Sequence, residues 1–194
     1  MSESPVVGAA AVPGQLPAGR YQIDAEHSTV TFTTRHLCGL ARVRGTLALR
    51  DGTICVAVPA TASTVRARVA ASAFRSGNQL RDAAVLSPRL LDAEAYPGLT
   101  FTSAELVREE TGEPAAGPGQ WRLRGELEVR GVTRLVEARV TALSGTGTTL
   151  RASARLSVDR YAFGITAYRG LAARRLTVEL GIVAERDETR AARS

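Results

Sequence analysis

Beyond residue 20 the chain is a succession of short stretches in which apolar and polar side chains alternate. Val30, Phe32 and Thr34 alternate with Thr31, Thr33 and Arg35, and Val43, Gly45, Leu47 and Leu49 with Arg42, Arg44 and Arg50. Val65, Ala67 and Val69 oppose Arg66 and Arg68. Trp121, Leu123, Gly125, Leu127 and Val129 oppose Arg122, Arg124, Glu126, Glu128 and Arg130. The pattern returns over 136–140, 150–158 and 176–182. A period of two puts one set of side chains in a core and the other in water, as in an antiparallel sheet with one wet face. Seven or eight such strands, joined by short turns such as Arg130-Gly131-Val132, predict an all-β sandwich or closed barrel. Closure removes the exposed edges that invite aggregation.

The alternation lapses over NQLRDAAVLSPRLLDAEAYPGLTF, residues 78–101. Asn78 is placed to cap a short helix running through Leu86, and Ser87-Pro88 to open a second helical turn. Tyr96-Pro97-Gly98 then turns the chain into a strand holding Thr100, Phe101 and Thr102. This insertion, helical over about 78–92, reads as a lid or plug. Leu86, Leu90 and Leu91 pack toward one barrel end, and Arg81, Asp82, Asp92 and Glu94 pin it by ion pairs and backbone bonds.

Composition narrows the picture. The net charge of +6 comes from arginine alone, with no lysine in the chain. The arginines are scattered rather than gathered with aromatics into a stripe, which argues against a nucleic-acid surface. Residues 1–19 lack both a basic start and a continuous apolar run and contain Pro5, Pro13 and Pro17. They read as a disordered leader, neither signal peptide nor membrane span, which makes the cytoplasm the expected compartment. A barrel domain is expected over 20–185, with a hairpin loop at Glu109–Gly119 and a charged tail over 186–194. The inward positions Gly45, Ala67, Gly125, Ala138, Ala152 and Ala154 are small. An eight-stranded barrel is just wide enough to fill itself or to hold a small ligand, and small inward residues tilt the choice toward a cavity. An alanine-rich composition alone produces the same pattern.

Catalytic chemistry finds little support. There is no Gly-x-Ser-x-Gly, Gly-rich phosphate loop or His-Glu-x-x-His. His27 sits in Asp24-Ala25-Glu26-His27-Ser28, which reads as a hydrogen-bonded turn before a strand rather than an acid–base cluster. His36 shares the parity of Phe32 and is expected to point inward near a rim, either toward a ligand head group or as a satisfied interior histidine. Cys38 and Cys55 have no metal-ligand spacing. No catalytic residue, metal site or cofactor is assigned, and the chain reads as a binding protein rather than an enzyme.

HSTVTFTTRH with VRG at 43–45, then SAFRSGNQLRD, SPRLLDAEAYPGLTF, GELEVRGVTR and VDRYAFG, follow one another in an order that resembles the YceI-like family of lipocalin-type, polyisoprenoid-binding proteins. The resemblance runs from about Tyr21 to Ala184. It implies an eight-stranded antiparallel lipocalin-like barrel with an apolar cavity. The implied ligand is amphiphilic: an isoprenoid quinone, polyprenyl or fatty-acid derivative, carried or sequestered with its tail down the barrel. A homodimer is implied as well. Parity and resemblance together assign Phe32, Leu47, Phe101, Trp121, Leu123, Leu156 and Phe163 to the cavity wall, Leu86, Leu90 and Leu91 to the plug and His36 to the mouth. The sequence departs from the family pattern at Ala84 in place of a histidine, at Leu90-Leu91 in place of aromatics, at Leu135 in place of a proline and at Ala162 in place of an aspartate. The rival reading is a stress-related or regulatory protein-interaction module with a filled barrel.

Overall fold

The computed structural model describes residues 16–36, 41–108 and 121–187, the side chains of residues 35, 36 and 41 excepted. The leader up to residue 15, Cys38, the 109–119 loop and the tail from residue 188 lie outside the described residues. The elements are β1 (Gly19–Ile23), β2 (Thr29–His36), β3 (Ala41–Val56), β4 (Thr64–Arg75), α1 (Gln79–Leu86), β5 (Gly98–Arg108), β6 (Trp121–Val129), β7 (Val132–Gly145), β8 (Thr149–Asp159) and β9 (Arg175–Arg186). Every pairing is antiparallel. Neighbours in sequence are neighbours in space from β2 to β9, and β2 pairs with β9 to close the ring. β1 occupies the same place as β2, pairing with the far half of β3 and the end of β9. The result is a closed eight-stranded antiparallel barrel in which one stave is built of two segments. Closure leaves each strand with a neighbour on both sides, the outcome that the repeated one-sided patterning favours.

The turn between β1 and β2 is the His27 segment. Asp24 Oδ1 accepts the backbone N–H groups of Glu26 (2.9 Å) and His27 (3.1 Å), and Oδ2 lies 2.7 Å from His27 Nδ1. Ser28 Oγ accepts the N–H of Val183 at 3.0 Å and donates to its carbonyl at 3.2 Å, stitching the break to β9. The cluster is thus a hydrogen-bonded turn. These bonds, the backbone N–H of His27 first, hold the Asp24 carboxyl below its usual range.

β-Bulges shift the inward parity on three strands. On β3 the register slips between Thr46 and Ala48 and again between Leu49 and Asp51, so the inner face continues as Gly52, Ile54 and Val56. Similar slips follow Ser103 on β5 and Val140 on β7. Bulges add twist and help a sheet to close. The outer wall is a lattice of arginines and acids, as where Arg124 bridges Glu105 (3.0 Å) and Glu137 (2.8 Å).

The two ends differ. At the far end Tyr21, Ile23, Leu49, Ile54, Leu143 and Leu150 form a packed core. Leu16 joins it, and Tyr21 donates from its phenol to the Pro17 carbonyl (2.9 Å), so the last residues of the expected leader pack on the barrel. Asp187 N–H donates to the Arg20 carbonyl (2.8 Å), which carries ordered pairing two residues into the expected tail. At the other end the chain crosses between strands by the 76–97 insertion, the tight Arg130-Gly131 turn and residues 160–174. Val129, Val158, Phe163 and Ile165 are buried there, with Leu90, Leu91, Val132 and Val136 packed against them.

Candidate functional site: the barrel interior between two packed ends

Side chains on the inner face of an eight-stranded barrel that filled itself would be buried. Between the two buried clusters some are, such as Val30, Phe74 and Ala138, and others are not. Phe32, Leu47, Phe101, Leu123 and Leu156 face inward by register yet are only half-buried, as are Ala67, Val69, Ala152 and Ala154. These partly accessible side chains form a zone between the two clusters, Leu47, Ala67, Val69 and Ala152 packing on one and Leu156 on the other. On β8 this zone runs from buried Leu150 to buried Val158, about 27 Å of strand and about 20 Å of barrel height at the usual tilt.

Two glycines shape its cross-section. Phe32 faces Gly45 across the β2–β3 ladder, and its ring lies over the space a Cβ there would occupy. Phe101 does the same at Gly125, where an added Cβ would come within 2.7 Å of the ring. Phe74, which the strand pattern did not single out, is buried and stacks on Phe32 with centroids 5.0 Å apart.

The remaining expected residues divide between the ends. Trp121 is buried at the start of β6, toward the far end. Phe163 is buried in the crossover that Leu90 and Leu91 pack against, so these three close the insertion end together. Leu86 is half-buried at the end of α1 and is not part of that cluster. The His36 backbone pairs with Ala41 at the insertion end, and its side chain lies outside the described residues.

The insertion is held largely as its residue types dictate. Asn78 Oδ1 accepts the Arg81 N–H at 2.9 Å, capping α1. Asp82 accepts from Ser76 N (2.9 Å) and from the Ser76 hydroxyl (2.6 Å), tying the helix back to the end of β4. After Ser87 the chain makes turns rather than a second helix, with Leu90 N–H and Asp92 N–H both donating to the Ser87 carbonyl. Asp92 reaches Arg130 at 3.8 Å. Asp82 and Asp92 therefore anchor to neighbouring segments.

Arg160 organises the facing crossover. Its guanidinium is buried and donates to four carbonyls: Ile165 (2.8 Å), Ala167 (2.7 Å), Ala172 (3.1 Å) and Ala173 (3.0 Å). Burial lowers its pKa from the ordinary arginine value. Asp159 pairs with Arg174 at 2.6 Å, and this bond above all holds the Asp159 carboxyl below its usual range. The strand pattern gave no signal for Arg160, because its role is to satisfy backbone carbonyls in a segment without a ladder.

Two polar residues on the inner register were also missed. Thr34 continues the inward parity of Val30 and Phe32, and its hydroxyl is buried without a hydrogen-bond partner, the one such side-chain atom among the described residues. Arg134 faces Leu127 and interrupts the apolar inner face of β7 between Val132 and Val136. Its guanidinium is bonded to the Thr133 carbonyl (2.8 Å).

The fold has solved counterparts. BcnA of Burkholderia cenocepacia superposes with a TM-score of 0.70 at 19% identity, covering 83% of this chain and 98% of its own. A polyisoprenoid binding domain from Saccharophagus degradans, implicated in plant cell wall breakdown, gives 0.63 at 14% identity, with 88% and 100% covered. The YceI protein of Campylobacter jejuni gives 0.57 at 19% identity, with 79% and 90% covered. Comparison with curated proteins gave no significant sequence match. The YceI-like domain matches residues 21–185, the whole barrel from β1 to the end of β9, and the chain belongs to the YceI-like family.

Proposed function

We propose that the protein binds an amphiphilic lipid (an isoprenoid quinone, polyprenyl or fatty-acid derivative) in the barrel, and carries or sequesters it without chemical change. The observation that carries this reading is the half-buried apolar wall between two closed ends. The Saccharophagus degradans neighbour, named for polyisoprenoid binding, supports it. Each methylene buried contributes about 0.8 kcal/mol, while association costs an estimated ~4–15 kcal/mol. A tail of about a dozen carbons along the zone lined by Phe32, Leu47, Phe101, Leu123 and Leu156 therefore offsets that cost and leaves micromolar or tighter binding. The head group lies toward the insertion end, where the unpartnered Thr34 hydroxyl accounts for one polar contact; an orphaned buried hydroxyl costs free energy until a ligand meets it. The protein is cytoplasmic and homodimeric in this proposal.

Mass spectrometry of organic extracts from the purified protein, together with titration of a fluorescent fatty-acid or quinone probe, tests it. Co-purified lipid or saturable uptake at one site per barrel is expected. A protein that emerges empty and takes up neither probe has a filled barrel, and the carrier reading fails.

A further inference from the structure

The large apolar side chains that stand in solvent are not spread evenly. Of the six exposed ones among the described residues, Leu80, Tyr96, Leu135, Tyr168 and Leu171 belong to the insertion end or the outer wall just above it, and Val58 alone to the far end. Leu80 is 85% exposed on the first turn of α1, Leu171 is 51% exposed in the 160–174 crossover, and Leu135 is 77% exposed on β7 close to the Arg130-Gly131 turn. Nothing in the fold requires these leucines in water. Isolated exposed leucines are ordinary, but a set concentrated at one end marks a contact surface.

Charge is concentrated at the same end. Residues 76–97, 130–135 and 159–175 contain eight arginines and four acids, so most of the chain's net +6 sits there. The pairs Asp159–Arg174 and Asp92–Arg130 each cancel one charge of each sign and Arg160 is buried, which leaves five further arginines against Asp82 and Glu94. Arg89 and Arg169 are exposed, and Arg169 stands over the Tyr161 ring at 5.0 Å. Arg42 and Arg44 are exposed on the outer wall of β3 near this end.

Leucines and tyrosines interleaved with arginines on one tip suit the boundary of an anionic bilayer. Apolar side chains enter the headgroup–acyl layer there, while guanidinium groups meet phosphates. An acidic protein surface would satisfy the arginines but leave Leu80 and Leu171 without an apolar counterpart. We propose that the insertion end is a docking face for anionic lipid membranes. The inference is independent of what the barrel holds, since it rests on the outer surface alone.

Sedimentation with vesicles of neutral phosphatidylcholine, and of phosphatidylcholine containing phosphatidylglycerol, tests it on the full chain. Binding to the anionic vesicles, weak binding to the neutral ones and loss in high salt are expected. Arg89→Glu with Arg169→Glu lowers the partition by on the order of tenfold or more, and Leu80→Ser with Leu171→Ser lowers it severalfold. Val58→Ser at the far end leaves it unchanged. All these positions are exposed, and far-ultraviolet circular dichroism checks that each variant is folded. Protein that stays in the supernatant with anionic vesicles overturns the proposal. So do equal binding to both vesicle types, serine variants that bind like the parent, or a Val58→Ser effect as large as theirs. Lipid content measured on the same preparations separates docking from carriage: an empty protein that docks refutes only the carrier reading, and a loaded one that does not dock refutes only this one.

Discussion

Ala154→Leu asks directly whether the barrel is open. Ala154 lies at mid-height on the inner face of β8, facing Val140 on β7 and Leu180 on β9, and is half-buried. The substitution adds three carbons to the lumen. In a barrel already filled they would force neighbours off their rotamers, at a cost of about 1–3 kcal/mol. In an open one they find space. Full burial of three carbons would contribute about 2.4 kcal/mol, so half-burial contributes about 1 kcal/mol. Loss of leucine rotamer freedom takes back about 0.5–1 kcal/mol. The expected change in unfolding free energy is therefore about zero, to within roughly 1 kcal/mol, a shift of at most about 2–4 °C in midpoint.

Leu150→Ala supplies the contrast on the same strand. Leu150 is 2% exposed and faces Ala184 in the packed far end, so its truncation costs about 2–5 kcal/mol. Urea unfolding of both variants and the parent measures the pair, and probe titration follows occupancy. In Ala154→Leu the ligand loses space worth up to about 2 kcal/mol, roughly thirtyfold in Kd. A loss of about 1.5 kcal/mol or more in stability, with probe affinity unchanged, would refute the reasoning: the lumen at Ala154 would be a packed core and its half-burial would have another origin.

Three further outcomes follow from named contacts. Leu90→Ala with Leu91→Ala removes the insertion's apolar grip on Phe163 and Ile165, so bound probe should exchange faster in stopped-flow displacement, and unchanged exchange would leave the insertion a plain plug. Arg160→Lys cannot span four carbonyls with one ammonium group; a stability loss of about 2–3 kcal/mol is expected by urea unfolding, with faster hydrogen exchange over residues 160–174. Asp24 and Asp159 both have folded pKa values depressed below 3.8. Each therefore stabilises the fold above its unfolded value, and that stability is lost as pH falls below about 4 toward the folded value. Thermal midpoints should drop over this range, and Asp159→Asn should flatten the drop, because its bond to Arg174 no longer titrates.

Much of the barrel was legible because a one-sided sheet must alternate. The inward sets on β2, β6, β8 and β9 stand where the period places them. What escaped has specific causes. β1 is five residues long and follows the leader, too short to show a period. Ile54 and Val56 fall out of phase with Leu47 and Leu49 because a bulge between Leu49 and Asp51 intervenes, and a bulge has no fixed residue signature. On the site, parity found Phe32, Leu47, Phe101, Leu123 and Leu156 on the inner wall, but not how filled the wall is. Trp121 has the same parity as Leu123 and ends up buried toward the far end, since parity names a face and not a height.

The polar exceptions on the inner register carry the most information about what the lumen meets. Parity alone treats Thr34 as a tolerated strand residue, and β-branched threonine fits a strand well. Its position changes that judgement. A hydroxyl on an outer wall is paid for by water, whereas at Thr34 neither protein nor bulk solvent reaches it. Arg134 is the complementary case: a cation on an inner-face register that stays exposed. Toward the insertion end the inner register is therefore mixed: Thr34 and Arg134 interrupt a lining that includes buried Val129, Val158, Phe163 and Ile165. An amphiphile lying in the lumen with its head toward the insertion would bring a polar group to the Thr34 hydroxyl, while a wholly apolar ligand would leave that hydroxyl unpartnered.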